Sequence, residues 1–132
     1  MAQEDKELLL KDLCAKLPYG VKINVNGEED TLLELGVDTG WINASYDIEE
    51  VKPYLRPMSS MTEEEREEWA DLFMQPIYEL EQYTDEKEAQ DIAPILYGKS
   101  HSLSTDWLNK KMFDYHGLIP MGLAIEASEG MY

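Results

Sequence analysis

The side chains in this sequence that could do chemistry are carboxylates, and they crowd into one stretch. Glu63, Glu64, Glu67, Glu68 and Asp71 follow one another at helical intervals, with Tyr78 and Glu79 further along. Carboxylates on a solvated helix face are poor general acids or bases, because that work needs burial or a neighbouring charge to hold the proton. A row of them does attract cations. Strung along a helix, it offers a basic channel the repeated negative charge that a nucleic-acid backbone offers. The competing reading is a solvated face that only keeps the protein soluble. Residues 57–98 hold 12 acids and 2 bases, net −10, which exceeds what solubility requires. Tyrosines among the acids add candidate interface anchors, although core and rim packing is the commoner role of such tyrosines.

Other candidate groups point to no chemistry. His101 and His116 are the only histidines, and neither has a partner at metal-ligand spacing. His101 falls in an expected loop, and His116 beside an expected helix end, where the dipole favours its charged form. Ser100, Ser102 and Ser104 flank His101 without a nucleophile-elbow pattern. Residues 24–28 carry a faint calcium-loop pattern but lack the closing acidic residue, so a hairpin is expected there. Glycine-rich phosphate loops and basic patches with interleaved aromatics are missing. The expectation is a non-enzyme with no catalytic residue, no metal and no cofactor.

Composition narrows the partners. The chain has 132 residues, 28 acidic and 11 basic, for a net charge of −17. That field repels DNA, RNA and anionic membranes and favours a basic protein. Apolar residues make up 43%, enough for a folded core. Cys14 is the one cysteine, so no intrachain disulfide forms and a reducing, cytosolic setting is expected. Residues 1–17 do not read as a signal peptide, and no apolar run suits a membrane span.

The elements that must position these groups follow from periodicity. Residues 3–16 form an expected helix with Leu9, Leu10, Leu13, Cys14 and Leu17 inward, and Asp12 and Lys16 elsewhere. Pro18 stops it. Residues 21–25 alternate as a half-buried strand, and Asn26-Gly27 is a hairpin signal. A return strand is expected over 31–35, a turn over 36–40, a third strand over 41–44 and extended chain over 47–55. Pro53 confines that last segment to an edge or a strand end. Thr62 and Glu65 form a capping box that starts a helix near Glu63, with Met61 as a staple. Pro76 is expected to kink or end it near Met74, with a second helical piece over 77–83. A helix from 84 to about 92 limited by Pro94, a loop over 98–105, a helix over 106–115 closed by Gly117, and a strand over 123–127 complete the chain. The fold class is α+β: an N-terminal helix, a small curled antiparallel sheet or partial barrel, and a helical C-terminal half. One domain is expected over 1–132, comprising 1–56 (helix and sheet), 57–98 (acidic helices) and 99–132 (helix and final strand).

Several blocks carry a family resemblance. They are Leu17-Pro18-Tyr19-Gly20-Val21-Lys22, the run from Asp47-Ile48-Glu49-Glu50-Val51 through Lys52-Pro53-Tyr54-Leu55-Arg56-Pro57 to Met58-Ser59-Ser60-Met61-Thr62-Glu63-Glu64, Asp106-Trp107-Leu108-Asn109, and the run from Phe113-Asp114-Tyr115-His116-Gly117 to Ile125-Glu126-Ala127. The chain resembles a family of small phage and prophage proteins of gut bacteria, to which no catalytic residue is assigned. Residues 69–104 lie outside the resemblance. It implies a mobile-element setting in a bacterial cytoplasm, where small acidic proteins without enzymatic motifs often counter host defence. The expected function is therefore an acidic inhibitor that binds a basic nucleic-acid-handling host protein, such as a CRISPR nuclease or another defence effector, by nucleic-acid mimicry. Its partner-binding residues are Glu63, Glu64, Glu67, Glu68, Asp71, Tyr78 and Glu79. The alternatives are a phage housekeeping or regulatory adaptor whose charge serves solubility only, and a binder of a small nucleotide signal.

Overall fold

The computed structural model describes residues 1–36 and 41–132. The architecture is α+β, with an N-terminal helix, an open four-stranded mixed sheet and two long helices in the C-terminal half. The expected turn over 36–40 falls largely outside the described residues.

Helix α1 spans Gln3–Lys16. Glu4 and Asp5 stand at its positive end and Lys16 at its negative end, as the dipole favours. Its buried residues are Leu9, Asp12, Leu13 and Lys16, a run at i, i+3, i+4 and i+7. The inward face expected from the sequence, Leu9, Leu10, Leu13, Cys14 and Leu17, shares only Leu9 and Leu13 with it. Cys14 is exposed, and Asp12 and Lys16 are inside. The helix turns this way because the two charges satisfy each other and find further partners, described below.

Strands β1 (Lys22–Val25) and β2 (Glu28–Thr31) form a two-residue hairpin. Asn26 and Gly27 both have positive φ, 51° and 93°, the mirror-image turn that matches strand twist. The return strand thus begins at Glu28, earlier than the expected 31–35. Residues 41–44 form no strand; Ile42 makes only isolated bridges to Leu35 and Tyr46. A capped turn at Ile48–Glu50 leads into β3 (Val51–Leu55), with Asp47 accepting from the Glu49 N–H at 3.0 Å. Strand β3 pairs antiparallel with β1 and parallel with β4 (Ile125–Glu126), giving the order β2-β1-β3-β4. The sheet is therefore mixed where an antiparallel one was expected. Pro53 sits where β3 has only β1 beside it, since β4 pairs with Tyr54 and Leu55 alone. Its missing N–H leaves no gap in a ladder there.

The ladder between β1 and β3 stops at Ile23 and Pro53. One step on, the Tyr132 hydroxyl bridges the strands. It accepts from the Lys22 N–H at 2.9 Å and donates to the Tyr54 carbonyl at 2.7 Å. Burial pushes the Tyr132 phenol up to about 12. A group held above its unfolded value near 10 stabilises the fold fully below that pH and loses its contribution as pH rises through its folded value. Stability is therefore expected to fall between pH 10 and about 12. Tyr132→Phe should remove that part of the alkaline decline in denaturant titrations. An unchanged decline would show that the bridge does not form.

The chain divides into two compact units, Met1–Ser60 with Asn109–Tyr132, and Met61–Leu108. The first holds the core. Leu9 and Leu13 of α1 join Val21, Ile23, Val25, Val51, Leu55, Met112, Leu118, Leu123 and Ala124 in one buried cluster. Apolar burial of this kind is the main favourable term in folding.

The second unit contains α2 (Glu63–Leu80) and most of α3 (Glu86–Lys110). The capping box at the start of α2 is complete. The Glu65 N–H donates to Thr62 Oγ1, and the Thr62 N–H donates to Glu65 Oε1, each at 3.1 Å. Thr62→Ala should cost about 0.5–2 kcal/mol, read from the thermal midpoint, and an unchanged midpoint would contradict the cap. Helix α2 neither ends nor restarts at Pro76 but runs through it, and Pro76 is buried. Proline forfeits one backbone bond, while residues on both sides stay in helical register.

Helix α3 likewise passes Pro94 and continues through 98–105, where a loop was expected. The buried positions along it include Leu96, Ser100, Ser104 and Trp107, at i, i+4, i+8 and i+11. Serines at two of these positions concealed the apolar period. Both are satisfied: Ser100 Oγ donates across to the Phe73 carbonyl of α2, and Ser104 Oγ donates one turn back to the His101 carbonyl at 3.1 Å. The helix ends at Lys110 rather than near Tyr115. Met112 turns left-handed at φ 63°, and residues 112–114 pair with Arg56 instead. His116 is accordingly beside no helix end.

Candidate functional site

Helix α2 presents the sequence-expected site as one face. At 3.6 residues per turn, Glu64, Glu67, Glu68, Asp71, Tyr78 and Glu79 fall within about a third of the helix circumference, and Glu63 borders them. All seven side chains are exposed. Tyr78 and Glu79 keep phase with the earlier carboxylates only because the helix is unbroken at Pro76. Glu64 to Glu79 spans roughly 23 Å at 1.5 Å per residue. Trp69, Leu72, Pro76 and Leu80 point the other way and are partly or fully covered.

Glu68 differs from its neighbours. Its Oε1 accepts the Trp107 indole N–H at 3.0 Å, so this carboxylate also fastens α2 to α3. Helix α2 carries seven acids against Arg66, whereas α3 carries four acids and three bases. The negative charge of the second unit is therefore concentrated on one helix. Tyr78, Tyr97 and Ile95 are more than half exposed at 55%, 54% and 65%. The unit thus combines a carboxylate row with exposed aromatic and aliphatic side chains, the mixture of steering charge and anchor that interfaces use.

A second constellation escaped the sequence reading. Asp12 and Lys16 are fully buried and hydrogen-bonded to each other. Lys16 Nζ also donates to Asn109 Oδ1 at 3.2 Å and lies 4.7 Å from the centre of the Tyr115 ring. The Tyr115 hydroxyl donates to the same Asn109 oxygen at 2.8 Å. His116 Nδ1 meets Asp12 Oδ1 at 3.0 Å, and Asp12 Oδ2 is buried with no hydrogen-bond partner among the described residues. Burial outweighs the pull of Asp12 and lowers the Lys16 pKa from its ordinary value, and burial likewise raises that of Tyr115. Asp114 completes the neighbourhood by accepting the Leu118 and Ile119 N–H groups at 2.8 and 2.9 Å.

This network ties α1 to the segment 109–119 within the first unit. It is a fastening of the fold: both charges at its centre are sealed from solvent. The signal for it was present in the spacing of Leu9, Asp12, Leu13 and Lys16, two charges in phase with two core leucines.

An open cavity of about 290 Å³ lies beside the β1–β2 hairpin, lined by Val25, Asn26, Glu28, Glu29, Asp30 and Tyr46. Among the described residues, no three His, Cys, Asp or Glu side chains are grouped to hold a metal ion. No described helix is long and apolar enough to cross a membrane. His101 lies exposed on α3. No family model, curated protein or solved structure matches this chain.

Proposed function

We propose that the protein is a non-enzymatic, acidic interaction protein of a mobile element. It binds a basic nucleic-acid-handling host protein and blocks it by occupying the channel meant for nucleic acid. A CRISPR nuclease or another defence effector is the target class. The observation that carries this reading is the unbroken α2, which sets Glu64, Glu67, Glu68, Asp71, Tyr78 and Glu79 on one exposed face. A basic groove would meet several charges at once, and Tyr78 would supply contact area at little entropic cost.

The test is affinity capture from a bacterial host, followed by competition. The captured protein should be basic, and excess DNA or guide RNA should displace it. The acidic protein alone should shift neither DNA nor RNA in a gel at moderate salt, because its field repels phosphates. Capture of a partner whose binding is indifferent to nucleic acid would defeat the mimicry reading.

A further inference from the structure

The chain enters the second unit after Ser60 and returns at Asn109. On the side of the first unit, these two ends are joined. The Arg56 N–H donates to the Met112 carbonyl and the Asp114 N–H donates to the Arg56 carbonyl, each at 2.8 Å. The Arg56 guanidinium also lies 4.2 Å from the centre of the Phe113 ring. The main buried cluster is drawn entirely from the first unit. Its sheet, α1 and the Asp12 network are therefore built from residues outside 61–108.

The second unit is built more sparingly. Its buried large apolar side chains are Met61, Leu96, Trp107 and Leu108, while Phe73, Tyr78, Tyr83, Ile95, Tyr97 and Leu103 are each more than a third exposed. Each of its helices has lost a backbone bond to an internal proline. It holds 13 acids and 3 bases, whose mutual repulsion opposes compaction. A two-helix unit of this size is marginal by itself.

We infer that residues 61–108 form an inserted recognition arm that opens independently of the unit carrying it, and that a polycationic protein surface is what covers and orders it. Charge complementarity selects the occupant. A second copy would bring net −10 against net −10, whereas a cationic surface relieves the repulsion within the arm and can shield its exposed aromatics. The identity of the occupant rests on the function proposed above; the independence of the arm does not.

Hydrogen exchange of the full-length protein, followed by mass spectrometry, tests both parts. Amides of 63–80 and 86–106 should exchange on the order of tenfold or more faster than those of β1 and β3, in a phase of their own. Leu96→Ala should speed the arm by at least about tenfold and leave the strands unchanged. Poly-L-arginine at low salt should slow exchange in the arm alone, and poly-L-glutamate should slow nothing. One common rate throughout, or strands that accelerate with Leu96→Ala, would overturn independence. Protection by poly-L-arginine that spreads evenly over β2 and the arm, or that is absent, would overturn the assignment of the occupant. An arm that opens alone and is ordered by poly-L-arginine, in a protein that captures no nucleic-acid-handling partner, would defeat the proposed function and leave this inference standing.

Discussion

Reversing Glu64, Glu67 and Asp71 to lysine together should abolish partner binding while the fold survives. The three side chains share the exposed face of α2, and among the described residues none of them makes an internal hydrogen bond or ion pair. Glu68 is left in place because its carboxylate holds the Trp107 indole, so its loss would confuse unfolding with lost binding. Each charge alone is solvated and contributes little. Reversal of three replaces attraction by repulsion across the same groove, and association should slow by roughly 10- to 10³-fold. The matching glutamine variant should fall between parent and reversal. Raising salt from about 50 to 200 mM should weaken the parent complex steeply, as it does for phosphate-like contacts. Surface plasmon resonance on the captured partner, with circular dichroism of each variant, reads both quantities. Affinity that ignores both salt and reversal would mean that the charge serves solubility only.

The largest effect on stability is expected at Asp12. Asp12→Ala leaves the fully buried Lys16 with Asn109 Oδ1, the Tyr115 ring and the more weakly acting charge of Asp114, and no directly bonded carboxylate. An unpaired buried cation is costly, and the loss should be about 3–5 kcal/mol. At the usual scaling for a domain of this size, the thermal midpoint should drop by roughly 10–20 °C. Removing both charges gives the opposite forecast. The double change Asp12→Leu with Lys16→Met replaces a desolvated pair by apolar volume, and such swaps are commonly neutral or stabilising by about 1–4 kcal/mol. His116 retains some solvent contact, with its side chain 14% exposed, and can exchange its Asp12 bond for water. The two variants together separate the worth of the pair from the cost of breaking it. An Asp12→Ala protein within about 0.5 kcal/mol of the parent would mean that Lys16 is not sealed as the structure shows. The lowered Lys16 pKa gives a sign as well. The unfolded chain binds the extra proton, so the Lys16 contribution improves as pH climbs toward the ordinary value of 10.5. This opposes the alkaline loss from Tyr132, to which the raised Tyr115 phenol adds, and the double variant should show the tyrosine decline unopposed.

Local signals sufficed wherever the physics was local. The Asn26-Gly27 turn needs only two residues that accept positive φ. The start of α2 needs only Thr62 and Glu65, three apart, to satisfy two backbone N–H groups. Helix α1 over 3–16 needs only helix formers bounded by Pro18. The acidic block, the α+β class and the exposure of the carboxylates on α2 were legible for the same reason, since each depends on composition or on neighbours in the chain.

What required the tertiary structure was every decision made by a distant partner. Pro76 and Pro94 read as helix ends, because in isolation a lost bond and a steric clash decide the matter. In the folded chain each helix continues, and that continuity aligns Tyr78 and Glu79 with the carboxylate row. Ser100 and Ser104 read as loop residues, because a hydroxyl counts as polar until an acceptor is supplied. The Phe73 carbonyl, 27 residues away, makes Ser100 a buried helix position. Asp12 and Lys16 read as charges off the inward face of α1. They are core residues because each meets the other one turn along α1 and both meet groups from 109–116, roughly a hundred residues distant in sequence. Burial of a charge is a property of its surroundings, and the surroundings of this pair exist only once the two ends of the chain have come together.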